Sequence, residues 1–240
     1  MKKAIILAAG HGKRLNHLTL EKPKPLLQVG DKPIIEHIIK QLNDSEIYHI
    51  GINTHYLSSQ INEYLQKRPK DKNKFTIIKE EELSGTAGAI RIFKSFMEDV
   101  EDFIVIAGDI VSEANLQELL SFHQERNALA SFYYHERKQS NSIVNLNEES
   151  GMVTSFHERP PTSLFVEGER YKINSSIYAF NKEVFNYLSD PTLFDIPKDL
   201  FPKIISKQKL YAKKLRGYRF AIDNEQRLEQ ANQYFNEELQ

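Results

Sequence analysis

The feature that most limits the fold is a regular alternation, through the first 135 residues, of short apolar runs with stretches of helical period. Lys3–Ala8, Ile47–Ile52, Phe75–Lys79, Phe103–Ala107 and Ala128–Tyr134 are strand-like runs. Their length and their punctuation by glycine and charge are those of buried strands. Between them, Pro33–Leu42 sets apolar residues at 34, 35, 38, 39 and 42, which is one face of a helix. Pro33 suits a first helical position. Tyr56–Leu65, Ala87–Met97 and Leu116–His123 read as helices in the same way. Such an alternation buries all its apolar faces when parallel strands form a sheet with helices on both sides. The expected class is therefore α/β, a three-layer, Rossmann-like, mostly parallel sheet.

After residue 135 the rhythm changes. Strand-like runs crowd together at Ser142–Leu146, Met152–His157 and Tyr171–Phe180. Helices are expected at Lys182–Leu188, Pro197–Ile205 and Gln226–Phe235, and strands at Leu210–Lys214 and Tyr218–Ile222. No linker-like or repetitive tract separates the halves, so one continuous domain over 1–240 is expected. A chain of 240 residues can bury a substantial core.

Composition removes several functions. Lys and Arg number 32 and Asp and Glu 33, a net charge of -1, so no basic footprint for nucleic acid is present. Cysteine is absent, which excludes disulfides, thiolate metal sites and a cysteine nucleophile, and fits a reducing cytoplasm. The apolar run at the N-terminus, Ala4 to Ala9, is too short for a signal peptide or a membrane helix. The expectation is a cytoplasmic protein with no membrane partner. The eight histidines form no H-E-x-x-H pattern, and no G-x-S-x-G elbow occurs.

The connection after the first strand runs from about Ala9 to Pro33, whereas most such loops take roughly 2–6 residues. It holds Gly10, Gly12, Arg14 and the string Lys22-Pro23-Lys24-Pro25. Glycines permit close backbone approach, and backbone N–H groups beyond a strand can cradle phosphate. Arg14 offers a planar fork for phosphate oxygens, and the prolines restrict the backbone around Lys24. The plain alternative is a surface loop of solvated charges. A Walker loop is absent, and the dinucleotide pattern fails because position 15 is Leu.

Further candidates lie downstream. Gly85-Thr86-Ala87-Gly88 opens a helix, where small residues serve either close ligand approach or packing with Thr86 as a cap. Asp109 ends the apolar run Val105-Ile106-Ala107-Gly108, on the side of the sheet where ligands bind in open α/β folds. A carboxylate there suits Mg²⁺, which prefers oxygen ligands and phosphate partners. A turn or helix cap is the alternative. Glu158 and Arg159 read either as a functional pair or as a solvated loop.

Several spaced segments together resemble the sugar-phosphate nucleotidyltransferase family. These are Leu7-Ala8-Ala9-Gly10-His11-Gly12-Lys13-Arg14-Leu15, Leu18-Thr19, Pro23-Lys24-Pro25-Leu26-Leu27 and Lys32-Pro33-Ile34-Ile35-Glu36. The resemblance implies the nucleotide-diphospho-sugar transferase fold in a short form without the β-helix tail of longer relatives. It implies a nucleotide-binding half over 1–135 and an acceptor-binding, metal-completing half over 136–240. It further implies Mg²⁺-dependent transfer of a nucleotidyl group from a nucleoside triphosphate to a sugar 1-phosphate, with release of pyrophosphate.

By the same resemblance, Leu7, Ala8, Ala9, Gly10, Gly12, Glu81, Gly85 and Thr86 line the nucleotide. Arg14 and Lys24 are catalytic, on the triphosphate and on the attacking and α-phosphate oxygens. Glu158, Arg159 and Asn174 bind the acceptor, and Asp109 with Asp223 holds the metal. Homo-oligomers are common in the family.

The sequence departs from the family pattern at defined points. His17 replaces a proline, Arg159 a lysine, Ser176 a glycine, and Asn141-Ser142 a Tyr-Gly pair. Ala221 stands at the family's second metal acid. Asp223 lies two residues on and so shares a strand face with it, with an N-cap of the last helix as its alternative role. Two other functions accompany the leading one. One is a cytidylyltransferase for a small phosphorylated alcohol or phosphonate. The other is a non-catalytic, nucleotide-sugar-binding regulatory paralogue.

Overall fold

The computed structural model describes residues 1–188 and 194–238. The fold is α/β with a mostly parallel sheet of seven strands, as the alternation predicts. The chain forms two compact units. The first contains Lys2–Leu83, Ile106–Asn115 and Gly217–Gln240, and the second contains Ser84–Val105 and Leu116–Arg216. No helix among the described residues is long and apolar enough to cross a membrane.

In the first unit, strand Lys3–Leu7 pairs in parallel with His49–Thr54, which pairs in parallel with Lys74–Lys79. Ile50, Ile52, Asn53 and Thr54 are all buried, so the middle strand is covered on both faces, the usual state of a parallel sheet. Helix Ile34–Asp44 sends Ile34, Ile35, Ile38, Ile39 and Leu42 into the core. Each such side chain contributes about 1.5–3 kcal/mol by burial. Pro33 does not take the first helical position. It stays extended (φ -69°, ψ 155°) as the residue before the helix, because Lys32–Pro33 pairs with Gln28–Val29 in a small hairpin. Helix Ser58–Lys67 starts two residues later than expected, after Leu57 in a left-handed conformation.

One strand of this unit has no local signature. Ile110–Ser112 pairs antiparallel with Arg219–Ala221, and the pairing continues as a bond from the Ile222 N–H to the Asp109 carbonyl. Residues 109 and 223 are thereby drawn to the same end of a two-stranded ladder. Helix Glu225–Glu238 follows. Its N-cap is Asn224, whose Oδ1 accepts from the Arg227 N–H at 2.9 Å, so Asp223 is not the cap.

In the second unit, Ala130–Arg137 pairs antiparallel with Tyr171–Asn181 and parallel with Leu210–Lys214. Ser142–Leu146 and Val153–Glu158 form a hairpin. Phe132 stacks on Phe201 at 5.2 Å, and the Phe156 ring meets Phe201 edge-on at 5.1 Å, forming an aromatic core. Helix Gly85–Arg91 ends earlier than the expected Met97, with a separate tight turn at Ser95–Met97. The segment expected as one helix from Pro197 is a wide turn over Ile196–Leu200 followed by Phe201–Ile205. Pro197 and Pro202 each remove a backbone donor, which interrupts the regular hydrogen-bond ladder.

Candidate active site

The long loop of the first unit is held from its first residues. The Leu7 carbonyl accepts the Gly108 N–H at 2.8 Å. A Cβ on Gly108 would lie 2.6 Å from that oxygen, so only glycine allows the approach that sets Asp109 beside the loop. The Ala8 N–H donates to Asn53 Oδ1 at 2.8 Å, and Asn53 Nδ2 donates to Glu80 Oε1 at 2.6 Å, both buried. Asn53 and Glu80 carry no motif and are not singled out by sequence. The one available signal was a pair of polar residues near the ends of two apolar strands.

Space remains around Gly10, where an added Cβ would meet nothing within 4 Å. Gly12 is left-handed (φ 65°), and a Cβ there would come within 3.0 Å of Thr19 Cγ2. Its carbonyl accepts from the Leu15 N–H and from Thr19 Oγ1, which curls Lys13–Thr19 into tight helical turns. The His11 ring packs against His55 at 5.1 Å and Tyr56 at 5.4 Å. The loop is thus a built element and not a solvated strand of charges. Glu81 is exposed, and both its oxygens accept from Lys79 Nζ.

Two ion pairs join this loop to the ladder end. Lys24 Nζ donates to Asp109 Oδ2 at 2.5 Å, with only 13% of the Lys24 side chain and 27% of the Asp109 side chain exposed. Pro23 is extended and the Leu27 N–H returns to the Lys24 carbonyl, so Lys24 opens a fixed turn over buried Pro25 and Leu26. Arg14 Nη1 donates to Asp223 Oδ2 at 3.2 Å, while Arg227 Nη1 donates to Asp223 Oδ1 at 2.7 Å. Arg14 is 70% exposed and Asp223 15%. His17 Nδ1 lies 3.7 Å from Glu225 Oε1, so the residue at the proline position of the resembled pattern faces the start of the last helix.

The donor set fits a hard divalent cation. Asp109 and Asp223 supply oxygen donors, and each already faces a positive group. Among the described residues no cluster of three or more His, Asp or Glu could hold a metal by itself. Two protein carboxylates with the remaining positions left to phosphate and water is the habit of Mg²⁺.

The second unit holds Glu158 at the end of one strand, Arg159 just beyond it and Asn174 within another. Glu158 pairs with Ser142 in the hairpin register, and Ser142 Oγ accepts the Asn174 N–H at 3.1 Å. Asn174 Nδ2 donates to the Tyr178 hydroxyl at 2.9 Å, and Asn174 Oδ1 accepts the Ser176 N–H at 2.9 Å. The Arg159 N–H donates to the Asn141 carbonyl, and the Arg159 side chain is exposed. Burial raises the pKa of Glu158 above its ordinary value, with the Asp195 charge adding to the rise against the opposing effect of Arg159. Both Arg159 (φ 48°) and Ser176 (φ 60°) hold left-handed backbones without being glycine. Such strain persists where surrounding structure demands it, and it clusters at functional sites.

Gly85 and Thr86 lie in the second unit and meet Phe194 and Asp195. A Cβ on Gly85 (φ 80°) would lie 2.6 Å from the Phe194 carbonyl oxygen. The Thr86 N–H and hydroxyl both donate to Asp195 Oδ1, at 3.0 and 3.1 Å, and the Ala87 and Gly88 N–H groups donate to the Phe194 carbonyl. Asp195 therefore takes an N–H of this helix start, and the Thr86 hydroxyl caps nothing in its own helix, accepting instead from the Ile196 N–H. Asp195 has no local signal in the sequence, because its partner lies 109 residues away.

The family model described as nucleotidyl transferase matches residues 3–219. Mannose-1-phosphate guanylyltransferase 1 of Arabidopsis thaliana is 34% identical over 222 residues, covering 90% of this chain and 60% of that protein. Mannose-1-phosphate guanyltransferase beta-A of Xenopus laevis is 29% identical over 221 residues, covering 90% and 59%. The chain spans about three-fifths of the length of these relatives. A putative glucose-1-phosphate thymidylyltransferase from Bacillus anthracis superposes with a TM-score of 0.85 at 21% identity, over 98% of this chain and 95% of that one. HddC from Yersinia pseudotuberculosis gives 0.81 at 23%, over 98% and 100%.

Proposed function

Because the chain belongs to the nucleotidyl transferase family, we propose that it joins a nucleoside triphosphate to a sugar 1-phosphate, releasing pyrophosphate. The observation that carries this reading is the pairing of Lys24 with Asp109 and of Arg14 with Asp223, in a loop whose glycine backbone leaves open space at Gly10. The relatives named for mannose-1-phosphate guanylyl transfer support the substrate class.

The chemical obstacle is charge. Two unit charges about 4 Å apart interact by roughly 4 kcal/mol at an effective dielectric of 20. A phosphate approaching a triphosphate meets several such repulsions, so positioning and fixed positive groups must supply most of the catalysis. Arg14 reaches the triphosphate from an exposed position. Lys24, held by its turn, puts its ammonium on the attacking and α-phosphate oxygens as they approach in line. In the first unit the backbone around Leu7, Ala8, Ala9, Gly10 and Gly12, with Glu81, is the candidate nucleotide site; in the second, Gly85 and Thr86 are the candidate nucleotide residues. Arg159 takes the acceptor phosphate, and Glu158 and Asn174 take acceptor hydroxyls. Asp109 and Asp223 would hold Mg²⁺, which when bound neutralises phosphate charge.

A second reading is favoured by one observation. Ser142 is buried with its hydroxyl on the Asn174 N–H, and Ser176 keeps a side chain in a left-handed position. Both put side-chain atoms beside Asn174 where a glycine would have none, which suits a smaller acceptor such as a phosphorylated alcohol activated by cytidylyl transfer. Pyrophosphate release, measured for the four common triphosphates against sugar 1-phosphates and phosphocholine, tests both readings. Release with a sugar 1-phosphate supports the first and release only with phosphocholine the second. No release from any pair rejects both.

A further inference from the structure

Asp223 lies beyond the end of the ladder that pairs Arg219–Ala221 with Ile110–Ser112. Its own N–H turns back to the Ala221 carbonyl at 3.0 Å, a tight local turn that fixes no strand partner. A carboxylate displaced from a strand to a turn needs another anchor. Arg227 supplies it, four residues along at the start of the last helix, with Nη1 on Asp223 Oδ1 at 2.7 Å. The Arg227 backbone is itself fixed, since its N–H donates to the Asn224 cap. Oδ2 then faces the exposed Arg14.

Lys24, Arg14 and Arg227 are three cations against the two carboxylates Asp109 and Asp223. The neighbouring Glu225 is a third carboxylate, and His17 beside it carries charge only when protonated. A free divalent cation entering there competes with cations already seated on both carboxylates, whereas one arriving with polyphosphate brings oxygens that Arg14 and Lys24 can take instead.

We propose that Arg227 is a positioning residue for Asp223 and that its charge makes Asp223 accept a divalent cation only together with polyphosphate. This rests on the reading of Asp109 and Asp223 as metal carboxylates. Arg227 acts through Asp223 and touches no reacting atom.

The test uses the full chain and Mn²⁺, with protein-retained Mn²⁺ measured by equilibrium dialysis, alone and with the same concentration of inorganic tripolyphosphate on both sides of the membrane. The wild type should bind Mn²⁺ with tripolyphosphate and bind Mn²⁺ alone weakly. Arg227→Gln should bind Mn²⁺ alone about tenfold more tightly, because a repelling charge is removed. Arg227→Lys, which keeps the charge, should exclude free Mn²⁺ as the wild type does. Equal binding of Mn²⁺ alone by wild type and Arg227→Gln overturns the assignment to Arg227. So does a change in melting temperature alone, shared by both variants. Failure of the wild type to bind Mn²⁺ even with tripolyphosphate overturns the metal reading beneath it, and Asp223→Asn identifies that case by changing nothing.

Discussion

Lys24 and Asp109 are 85 residues apart in the chain and 2.5 Å apart in space, and neither side chain is more than about a quarter exposed. The pair joins the turn after Pro23 to the residue that follows Gly108. It sets a cation meant for phosphate against a carboxylate suited to a metal. Lys24→Ala should lower kcat by about 10²–10³, the usual effect of removing one fixed charge stabiliser. It should also leave Asp109 without its partner, at a cost of about 1–3 kcal/mol in stability. Lys24→Arg should rescue stability more than turnover, since a planar fork does not reproduce a point charge. Pyrophosphate release and thermal melts read the two effects separately, and full turnover in Lys24→Ala would remove the catalytic assignment.

Gly108 is a second lever on the same carboxylate. An added Cβ meets the Leu7 carbonyl oxygen at 2.6 Å and the Ala8 Cα at 3.2 Å, both backbone atoms that cannot rotate away. Gly108→Ala should therefore destabilise the chain by about 1–3 kcal/mol through overpacking. It should also move Asp109 away from Lys24 and depress turnover beyond what the stability loss explains. Gly10→Ala is the comparison, because a Cβ there meets nothing within 4 Å. Its stability should be nearly unchanged, with any effect appearing in triphosphate KM. A melting temperature for Gly108→Ala equal to that of Gly10→Ala would contradict the contact argument.

The alternation of apolar runs made the sheet legible, and Ser142–Leu146 and Leu210–Lys214 have the predicted bounds. What stayed hidden depends on distant partners. Ile110–Ser112 is three residues long and exists as a strand because Arg219–Ala221 lies beside it. The loop's glycines, Arg14 and Lys24 were readable from local chemistry. Their pairing with Asp223 and Asp109 was not, because it spans 209 and 85 residues. Asn53, Glu80, Asp195 and Arg227 were passed over for the same reason, as each acts through a tertiary hydrogen bond and belongs to no spaced motif. Pro33 shows the opposite error. A sound local preference for the first helical turn gave way to a hairpin that needed Pro33 extended.

Acid sensitivity should arise partly from Asp102 in the second unit. Burial alone would raise its pKa, but the His123 ring 3.4 Å away and hydrogen bonds from Gln124 and Asn181 outweigh this and hold it at about 2. The group is depressed, so its contribution is present above the carboxylate pKa of the unfolded chain, and it fades as pH falls toward about 2. Wild-type stability should therefore decline between roughly pH 4 and pH 2 more steeply than that of Asp102→Asn. Urea unfolding at several pH values checks this, and parallel slopes for the two proteins would show that Asp102 is not responsible.

Ser176 separates stability from acceptor choice. Its φ of 60° costs a non-glycine residue about 1–3 kcal/mol, and the Asn174 side chain holds the conformation by accepting its N–H. Ser176→Gly removes that strain but enlarges the unfolded ensemble, which offsets about 0.4–1 kcal/mol. The net expectation is a stabilisation of up to about 2.5 kcal/mol. If the hydroxyl narrows the acceptor region near Asn174, the same change should alter KM for the phosphorylated acceptor and leave KM for the triphosphate as it was. Arg159→Gly relaxes a similar backbone (φ 48°) but removes a cation, so it should weaken acceptor binding whatever the acceptor's size. A Ser176→Gly protein that melts lower than wild type would show that the serine side chain makes a stabilising contact larger than its strain. One that melts higher with an unchanged acceptor profile would show that the hydroxyl takes no part in selection.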